Sequence, residues 1–389
     1  MEKINLNKLF NKRIYVQLNG EAINFIINLI KKSGLVLDDK VKENLYRLSK
    51  RHKISFVFLR KISYMLKIPL SYFYKHINLV TSVKNTNVGI KDPKLPFNFG
   101  TKEGARFIAA IMGDGEINNQ IQVRYNNQDK KLIMLVLKSA KKIFGNVDYK
   151  IYYRKDKTYN LHFPKIIGLV MLELGLKPGY KSETNYQIPG FIFNKNKIIK
   201  SSFIRQFFND EGNVRLKDRR IQVKQTTKIN VSKEECVKNP NKYCHNVLKG
   251  IKRLFYSVGI ESKINLNSHR KNKADFELSF YGKENLELFK KNIGFDLDYK
   301  NKGLNQSIKS YKFPSAPRNK RIEFAMKKFK HVDEREGFVT KYSLAKESKR
   351  SIKTAVYYLV DLKKERKITE IERPRDKKGY FLPRKYKAI

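Results

Sequence analysis

The sequence predicts an α+β protein with a duplicated centre flanked by helical modules, and three observations predict it. Two helix-length apolar runs, GARFIAAIMGDGEI and SSFIRQFFNDEGNV, each end in an acid followed by glycine, at Asp114-Gly115 and Glu211-Gly212, with the acids 97 positions apart. Both runs lead into segments of alternating apolar and polar residues, the period of a sheet buried on one face. Residues 20–78 and the stretch from Thr340 onward carry apolar residues at helical spacing instead.

In chain order, GEAINFIINLIKK and VKENLYRLSK read as amphipathic helices. FLRKISYMLKIPLSYFYKHI then sets a helix bearing Leu59, Ile62 and Leu66 before the turn Lys67-Ile68-Pro69, with a second short helix from about Ser71. This is a helix-turn-helix pattern, which an ordinary helical hairpin shares. A helical domain is therefore expected over residues 1–80, and a linker over 81–100, where periodicity is lost and glycine and two prolines occur. The repeats occupy 101–200 and 201–312. A break bracketed by Pro314 and Pro317 then opens a terminal domain over 318–389.

In the first repeat, NQIQVRYN, VDYKIYYR and YNLHF place Ile121, Val123, Tyr125, Val147, Tyr149, Ile151 and Tyr153 on one side of a sheet. Gln122, Arg124, Asn126, Lys150, Tyr152 and Arg154 face the other way. In the second repeat, RIQVKQT, KINLN and FELSFY put Arg220, Gln222, Lys224, Lys263, Asn265 and Asn267 on the polar side. Apolar helices such as KKLIMLVLKSAKKIFG and NVLKGIKRLFYSVG cover the opposite faces, leaving two basic sheet faces that form a trough for a duplex. From Thr340, a short helix, a turn near Ser348, a longer helix from Ser351 and a hairpin around the turn Pro374 to Gly379 follow the order of a winged helix. Its second helix would bring Lys353 to a groove, and Arg373, Arg375, Lys377 and Lys378 of the hairpin would lie along the backbone. Dimerisation is the other use of such a fold.

Composition names the partner. Lys and Arg total 84 against 36 Asp and Glu, a formal charge of +48 in a chain that is 41% hydrophobic and so able to build cores. Such an excess binds nucleic acid by releasing condensed counterions, and 22 Tyr and 25 Phe lie among the cations. A membrane surface is the rival polyanion. No run of 18 apolar residues occurs, and MEKINLNKLFNKR lacks the features of a signal peptide, so a cytoplasmic, nucleoid-associated prokaryotic protein is expected. Cys236 and Cys244 suit a reducing compartment, and with His245 they fall one ligand short of a zinc knuckle.

Over residues 100–310 the sequence resembles the single-chain LAGLIDADG homing endonucleases. The resemblance rests on Phe107 to Gly115 (FIAAIMGDG), Ile204 to Gly212 (IRQFFNDEG) and the connectors LGLKPGYKSETNYQIPGF and SFYGKENLELFKKNIGF. It implies two pseudo-symmetric αββαββα halves with saddle-shaped antiparallel sheets, whose motif helices pack at a central axis. It also implies a monomer on double-stranded DNA, because two unlike halves supply the symmetry a dimer would otherwise give. At the third motif position, where the family has glycine, this chain has Ala109 and Gln206. Gln206 is bulky and polar, and needs either different packing or a partner for its amide.

Hard divalent cations activate water and neutralise charge on a phosphodiester, and Mg²⁺ takes one or two carboxylates with phosphate oxygens and waters. Asp114 and Glu211 are therefore the expected ligands for Mg²⁺, with Mn²⁺ able to substitute. The resemblance adds the carbonyls of Gly113 and Asp210, and places Asn127, Gln225, Lys165, Lys283 and Lys224 around the attacking water. The two acids could instead simply end helices, with the next glycine as C-cap, but a helix C-terminus disfavours a carboxylate. Two other roles remain open: a DNA-binding transcription regulator on the same scaffold, and an RNA maturase. An intein is not expected, since the terminal residues needed for splicing are missing.

Overall fold

Short apolar alternations put a sheet, rather than helices alone, at the start of the chain. The computed structural model describes residues 2–9, 13–34, 36–311, 320–378 and 380–389; the break at Pro314 and Pro317 and the turn residue Gly379 lie outside them. The chain divides into two compact units, Met1–Tyr281 with Leu288–Leu304, and Gly282–Glu287 with Asn305–Ile389.

Helices Gly20–Lys32, Asp39–Arg51, Phe56–Met65 and Leu70–Tyr74 form where periodicity predicts them. They accompany a five-stranded sheet in the order Lys53–Ser55, Tyr15–Leu18, Ile77–Thr81, Ile90–Lys91 and Asn146–Val147. The all-helical reading of residues 1–80 is thus corrected. So is the linker at 81–100, which supplies the strand Ile90–Lys91 and the strand Phe97–Asn98, paired with Lys3–Ile4. The sheet takes its last strand from the first repeat, where Ile90 pairs with Val147.

The expected helix-turn-helix residues do form two helices around a turn, with Leu59 and Ile62 buried and Lys67 in the left-handed region at φ 54°. The second helix has five residues, or about 7.5 Å at 1.5 Å per residue, against a major groove about 12 Å wide. Two residues separate it from Ile77–Thr81; it buries Phe73 and sets the Tyr72 ring against Phe25 of helix Gly20–Lys32 at 5.2 Å.

Each repeat then builds one sheet behind one long motif helix. The first motif helix, Lys102–Met112, and the second, Lys197–Asp210, are each capped by a side chain that accepts a backbone N–H, Thr101 from Gly104 and Asn196 from Ile199. The first sheet runs Lys150–Tyr153, Tyr159–His162, Val123–Asn127, Gly115–Ile117. The second runs Asn213–Arg215, Arg220–Lys228, Lys273–Tyr281, Lys263–Arg270. All neighbours are antiparallel. In chain order both sheets read first, second, fourth, third. Aromatic clusters fill both cores: Phe144 meets Phe97, Phe99 and Phe107 at ring-centroid distances of 5.0, 5.7 and 5.7 Å, and Phe255 meets Phe208 and Phe280 at 5.3 and 5.0 Å.

One expected face fails. Tyr149, Ile151 and Tyr153 were assigned to the apolar side of the first sheet, yet they are 41%, 38% and 62% exposed. Lys150–Tyr153 is the outermost strand, and its rings pack across to the neighbouring strand instead, Tyr153 on Tyr159 at 4.7 Å and Tyr152 on His162 at 4.8 Å.

In the other unit, helices Arg321–Glu336, Lys341–Glu347 and Ile352–Lys364 close on a core that includes Phe329, Val332, Leu344, Tyr358 and Leu362. The first of these helices was not foreseen. Thr340 and Ser343 form a capping box at the start of the second. Ile368–Glu372 pairs with Lys385–Ala388, so the hairpin arms lie farther apart in sequence than expected.

Candidate active site

The two motif helices pack against one another and converge at their C-terminal ends. Ser202 of the second donates to the carbonyl of Lys102 in the first at 2.7 Å. At the other end, a β-carbon on Gly113 would lie 2.6 Å from a carboxyl oxygen of Asp210, so only glycine admits this approach. Asp114 and Glu211 follow directly. The next residues, Gly115 and Gly212, are not left-handed C-caps as one reading of the sequence had it. Their φ values are not positive, and glycine is needed because a β-carbon would meet Ile111 Cα at 2.5 Å or the Phe208 carbonyl at 2.6 Å. The chain folds back over the last helical turn at both motifs.

Asp114 is half-buried and accepts from the Asn127 amide at 2.8 Å. Its pKa is pushed up to about 6, first by desolvation and then by the charge of Glu211. The acids therefore interact electrostatically. Asp210 accepts from the Tyr125 hydroxyl at 2.7 Å and the Gln206 amide at 3.0 Å, and its carboxyl is held well above the usual range by desolvation and by Asp114. The Gln206 amide nitrogen thereby finds Asp210 four residues on along the same helix, while its buried carbonyl oxygen has no hydrogen bond among the described residues.

Two lysines that sequence reasoning did not single out complete the site. Lys181, in the connector helix Lys181–Thr184, has its pKa lowered by burial, while the charges of Glu211, Asp114 and Asp210 oppose the shift. Lys300 reaches the end of the second motif helix and donates to the carbonyls of Phe208, Asn209 and Gly212 at 3.0, 2.6 and 2.7 Å. Burial brings its pKa down to about 8. The corresponding end of the first helix receives a single neutral donor, Tyr186 to the Met112 carbonyl at 3.1 Å.

Other expected residues land unevenly. Counting from the pairs Gly115–Tyr125 and Asn213–Gln222, Asp114 falls opposite Asn126 and Glu211 opposite Lys224, so Asn127 and Gln225 hold matching positions. Lys224 is exposed and Gln225 half-buried. Lys165 lines a groove with Gln122, Lys150, Tyr152 and His162. Lys283 falls in the other unit and pairs with Glu287 at 3.9 Å. On the first sheet, Gln122 accepts from Arg124 at 3.2 Å, Asn126 is half-buried, and Lys150, Tyr152 and Arg154 are exposed. On the second, Lys263, Asn265 and Asn267 are exposed and Arg220 is tied to Glu277 at 3.1 Å. Gln222 is only 4% exposed, because Lys181–Thr184 packs on that strand, so its place on a free polar face is corrected. In the other unit Lys353, Lys377 and Lys378 are exposed, and the Arg373 and Arg375 guanidinium groups stack on Phe381 at 3.9 and 4.5 Å.

Residues 199–294, which include the second motif and most of its sheet, match the family model described as LAGLIDADG-like domain. The chain carries a LAGLIDADG-like domain. Among curated proteins, a probable translation initiation factor IF-2 of Methanocaldococcus jannaschii is 30% identical over 247 residues, covering 60% of this chain and 19% of that one. A glutamine-fructose-6-phosphate aminotransferase of the same organism is 24% identical over 267 residues, covering 66% and 22%. The chain thus spans about a fifth of the length of these relatives. Of solved structures, the homing endonuclease I-DmoI in complex with DNA and Ca is similar at 17% identity, over 54% of this chain and 99% of that one, with a TM-score of 0.35.

The donor set suits a hard cation. Among the described residues no group of three or more His, Cys, Asp or Glu side chains has metal-binding geometry. Two carboxylates whose charges oppose each other, with backbone carbonyls beside them, are what Mg²⁺ takes when phosphate and water fill the remaining positions. Cys236 and Cys244 are buried, and both nitrogens of His245 are engaged, by the Lys181 carbonyl and the Val247 N–H, so the zinc knuckle falls away. No helix among the described residues is long and apolar enough to cross a membrane.

Proposed function

We propose that the chain is a site-specific DNA endonuclease that hydrolyses phosphodiester bonds with Mg²⁺ or Mn²⁺ held between Asp114 and Glu211. The observation that carries this reading is the meeting of the two acids where the motif helices converge, in a partly dehydrated site where burial first and the charge of Glu211 second push the Asp114 pKa up to about 6. Two carboxylates in a partly dehydrated site repel each other, and a divalent cation turns that repulsion into binding. The carbonyls of Gly113 and Asp210 would complete the protein ligands. Bound there, the metal would supply a lowered water pKa and charge neutralisation at the phosphate.

The chain's own groups do the rest. Asn127 orients the Asp114 carboxylate. Lys181 offers a positive charge beside all three acids, placed to stabilise the negative leaving oxygen. Lys300 fixes the last turn before Glu211. Arg124, Lys150 and Tyr152 on one sheet, with Lys263, Asn265 and Asn267 on the other, grip the duplex. In this reading the two sheets belong to αββαββα halves related by a pseudo-twofold axis, the protein acts as a monomer, and residues 318–389 form a winged helix that lengthens the footprint. Similarity to about a fifth of an initiation factor and about a fifth of an aminotransferase supports a part separable from either activity. It is a module that moves between genes, as suits an endonuclease that opens its own insertion site.

The test uses DNA fragments that flank the gene. Wild-type protein should cut one of them with Mg²⁺. Asp114→Asn and Glu211→Gln should each lower cleavage by about 10²- to 10³-fold, the scale for losing one preorganised charge-stabilising group. Metal-free affinity should hold or rise, since one repulsive charge beside the phosphates is gone. Wild-type protein that binds a fragment tightly and never cuts it with Mg²⁺ or Mn²⁺ would sink the endonuclease reading in favour of a regulator, and preference for a folded intron RNA would favour a maturase.

A further inference from the structure

The groove that holds Gln122, Lys150, Tyr152, His162 and Lys165 does not stop at the first sheet. Its wall continues through Lys91 to Asn87 of the N-terminal region. Asn87 also lines a second cleft, whose cations are Arg47 and Arg51 of helix Asp39–Arg51, Lys53 of the outermost strand of the five-stranded sheet, and Lys84. We propose that these two clefts form one track for the phosphodiester backbone of duplex DNA beyond the stretch gripped by the repeat sheets, so that the N-terminal region holds DNA through this track and not through the short helix Leu70–Tyr74. The inference rests on the reading of the chain as a DNA-binding protein and adds to it a contact surface with named residues.

Charge comes first. Four cations line the inner cleft, and no Asp or Glu is among its lining residues. Arg47 is paired with Glu43 on its own helix, whereas Arg51 and Lys84 have no ion pair among the described residues. Lys53 donates to the Thr86 carbonyl at 2.7 Å and to Asn87 at 3.2 Å, so it sits among neutral oxygens without a carboxylate. An ammonium held only by neutral oxygens keeps its charge available to an anion, and a charge-assisted hydrogen bond to phosphate is the stronger contact. In the outer groove the one carboxylate, Asp148, is committed to Lys91 at 3.0 Å and to the Gly89 N–H at 2.9 Å.

Chemistry and placement select the ligand. Gln17, Asn44, Asn85 and Asn87 add amide donors suited to phosphate and sugar oxygens, the contacts that position a protein on a duplex without reading sequence. A lone phosphate would call for a closed cradle of backbone N–H groups, whereas these are separated side chains along an open course. The course is also rigidly registered to the first repeat, because its sheet includes Asn146–Val147 from that repeat. A backbone strand leaving the groove at Lys165 and Lys150 meets Lys91 and then the inner cleft.

The test is a salt titration of the full chain against a generic duplex of ~40 bp, long enough to reach past the repeat sheets. Replacing Arg47, Arg51 and Lys84 together by Ala should leave the melting temperature near wild type and weaken binding at ~0.15 M salt by roughly 10-fold. The slope of log affinity against log salt should become shallower by about 2–3, as expected for three lost phosphate contacts. A second triple variant, Lys61→Ala, Lys67→Ala and Lys75→Ala on the short helix pair, should leave both quantities within about 2-fold of wild type. The inference is overturned if the first variant keeps the wild-type slope, if the second carries the loss, or if the first loses binding only to a hairpin RNA of the same length. Wild-type protein that binds no duplex at all would instead sink the parent reading.

Discussion

The two motif helices end alike in sequence and differently in chemistry. The first reaches Asp114 through Ala109 and Gly113, side chains that ask nothing of their surroundings, and its last turn receives one hydroxyl, from Tyr186. The second reaches Glu211 through Gln206 and Asp210, and its last turn receives an ammonium on three carbonyls. Near the acids, the polar side chains sit on the second helix. A duplicated motif can keep both acids in place while one copy stays lean, provided the other brings its own partners. Gln206 and Asp210 fit together, Asp210 fits because Gly113 leaves room, and Tyr125 closes the group from the first sheet.

Breaking the two helix ends separately should expose that asymmetry. Lys300→Met leaves three carbonyls without their donor and should lower stability by about 3 kcal/mol, as for stripping a buried charged hydrogen-bond donor. Tyr186→Phe should cost only ~1 kcal/mol at the other end. Chemical denaturation of both variants checks this, and equal losses would mean that the two ends are alike after all.

Next in size is a pH effect confined to the acids. The folded Asp114 pKa of about 6 lies above its ordinary 3.8, so between these values the folded chain keeps a proton that the unfolded chain gives up. Metal-free stability should therefore fall as pH rises from ~4 to ~6, by up to ~3 kcal/mol, and stay level with respect to this group above that window. Asp114→Asn should remove the share of the fall that belongs to Asp114 and leave the share of Asp210, whose pKa is raised in the same direction, and Mg²⁺ should oppose the fall in the wild type. Wild-type and Asp114→Asn stabilities that run parallel across that window would show that Asp114 keeps no extra proton in the folded chain.

The smallest expected effect is a coupling. In a double-mutant cycle of Gln206→Leu and Asp210→Ala, the interaction term should be ~1–2 kcal/mol, because each substitution alone removes one hydrogen bond of the other group and leaves it only its contact with Tyr125. An additive cycle would make the pair incidental.

Much of this was legible in the sequence where the pattern is local. The apolar runs ending in acid and glycine fixed both motif helices, and the alternation after them found the strands. The Gln206–Asp210 partnership could have been foreseen too, since the two lie one helical turn apart. What escaped was what depends on distant chain. Lys300 reaches Glu211's turn from a helix with no motif of its own. Lys181 lay inside a connector valued only for its resemblance. Alternation told which side Gln222 faces, but not that a connector helix covers it. The N-terminal strands are two to five residues long, too short for a period of two to rise above helical neighbours.

The strand Asn146–Val147 has a consequence for how the molecule comes apart. Because it completes a sheet begun by the first hundred residues, the hydrogen bonds of that sheet and the aromatic packing of Phe97 and Phe99 on Phe144 cannot be lost independently. The N-terminal region and the first repeat are therefore expected to unfold together, though the sequence reads as two modules with a spacer between them. Trimming the chain at the apparent spacer would not release a smaller protein. It would tear a sheet through its middle, strip a core of two phenylalanines and leave an unpaired β-edge open to self-association.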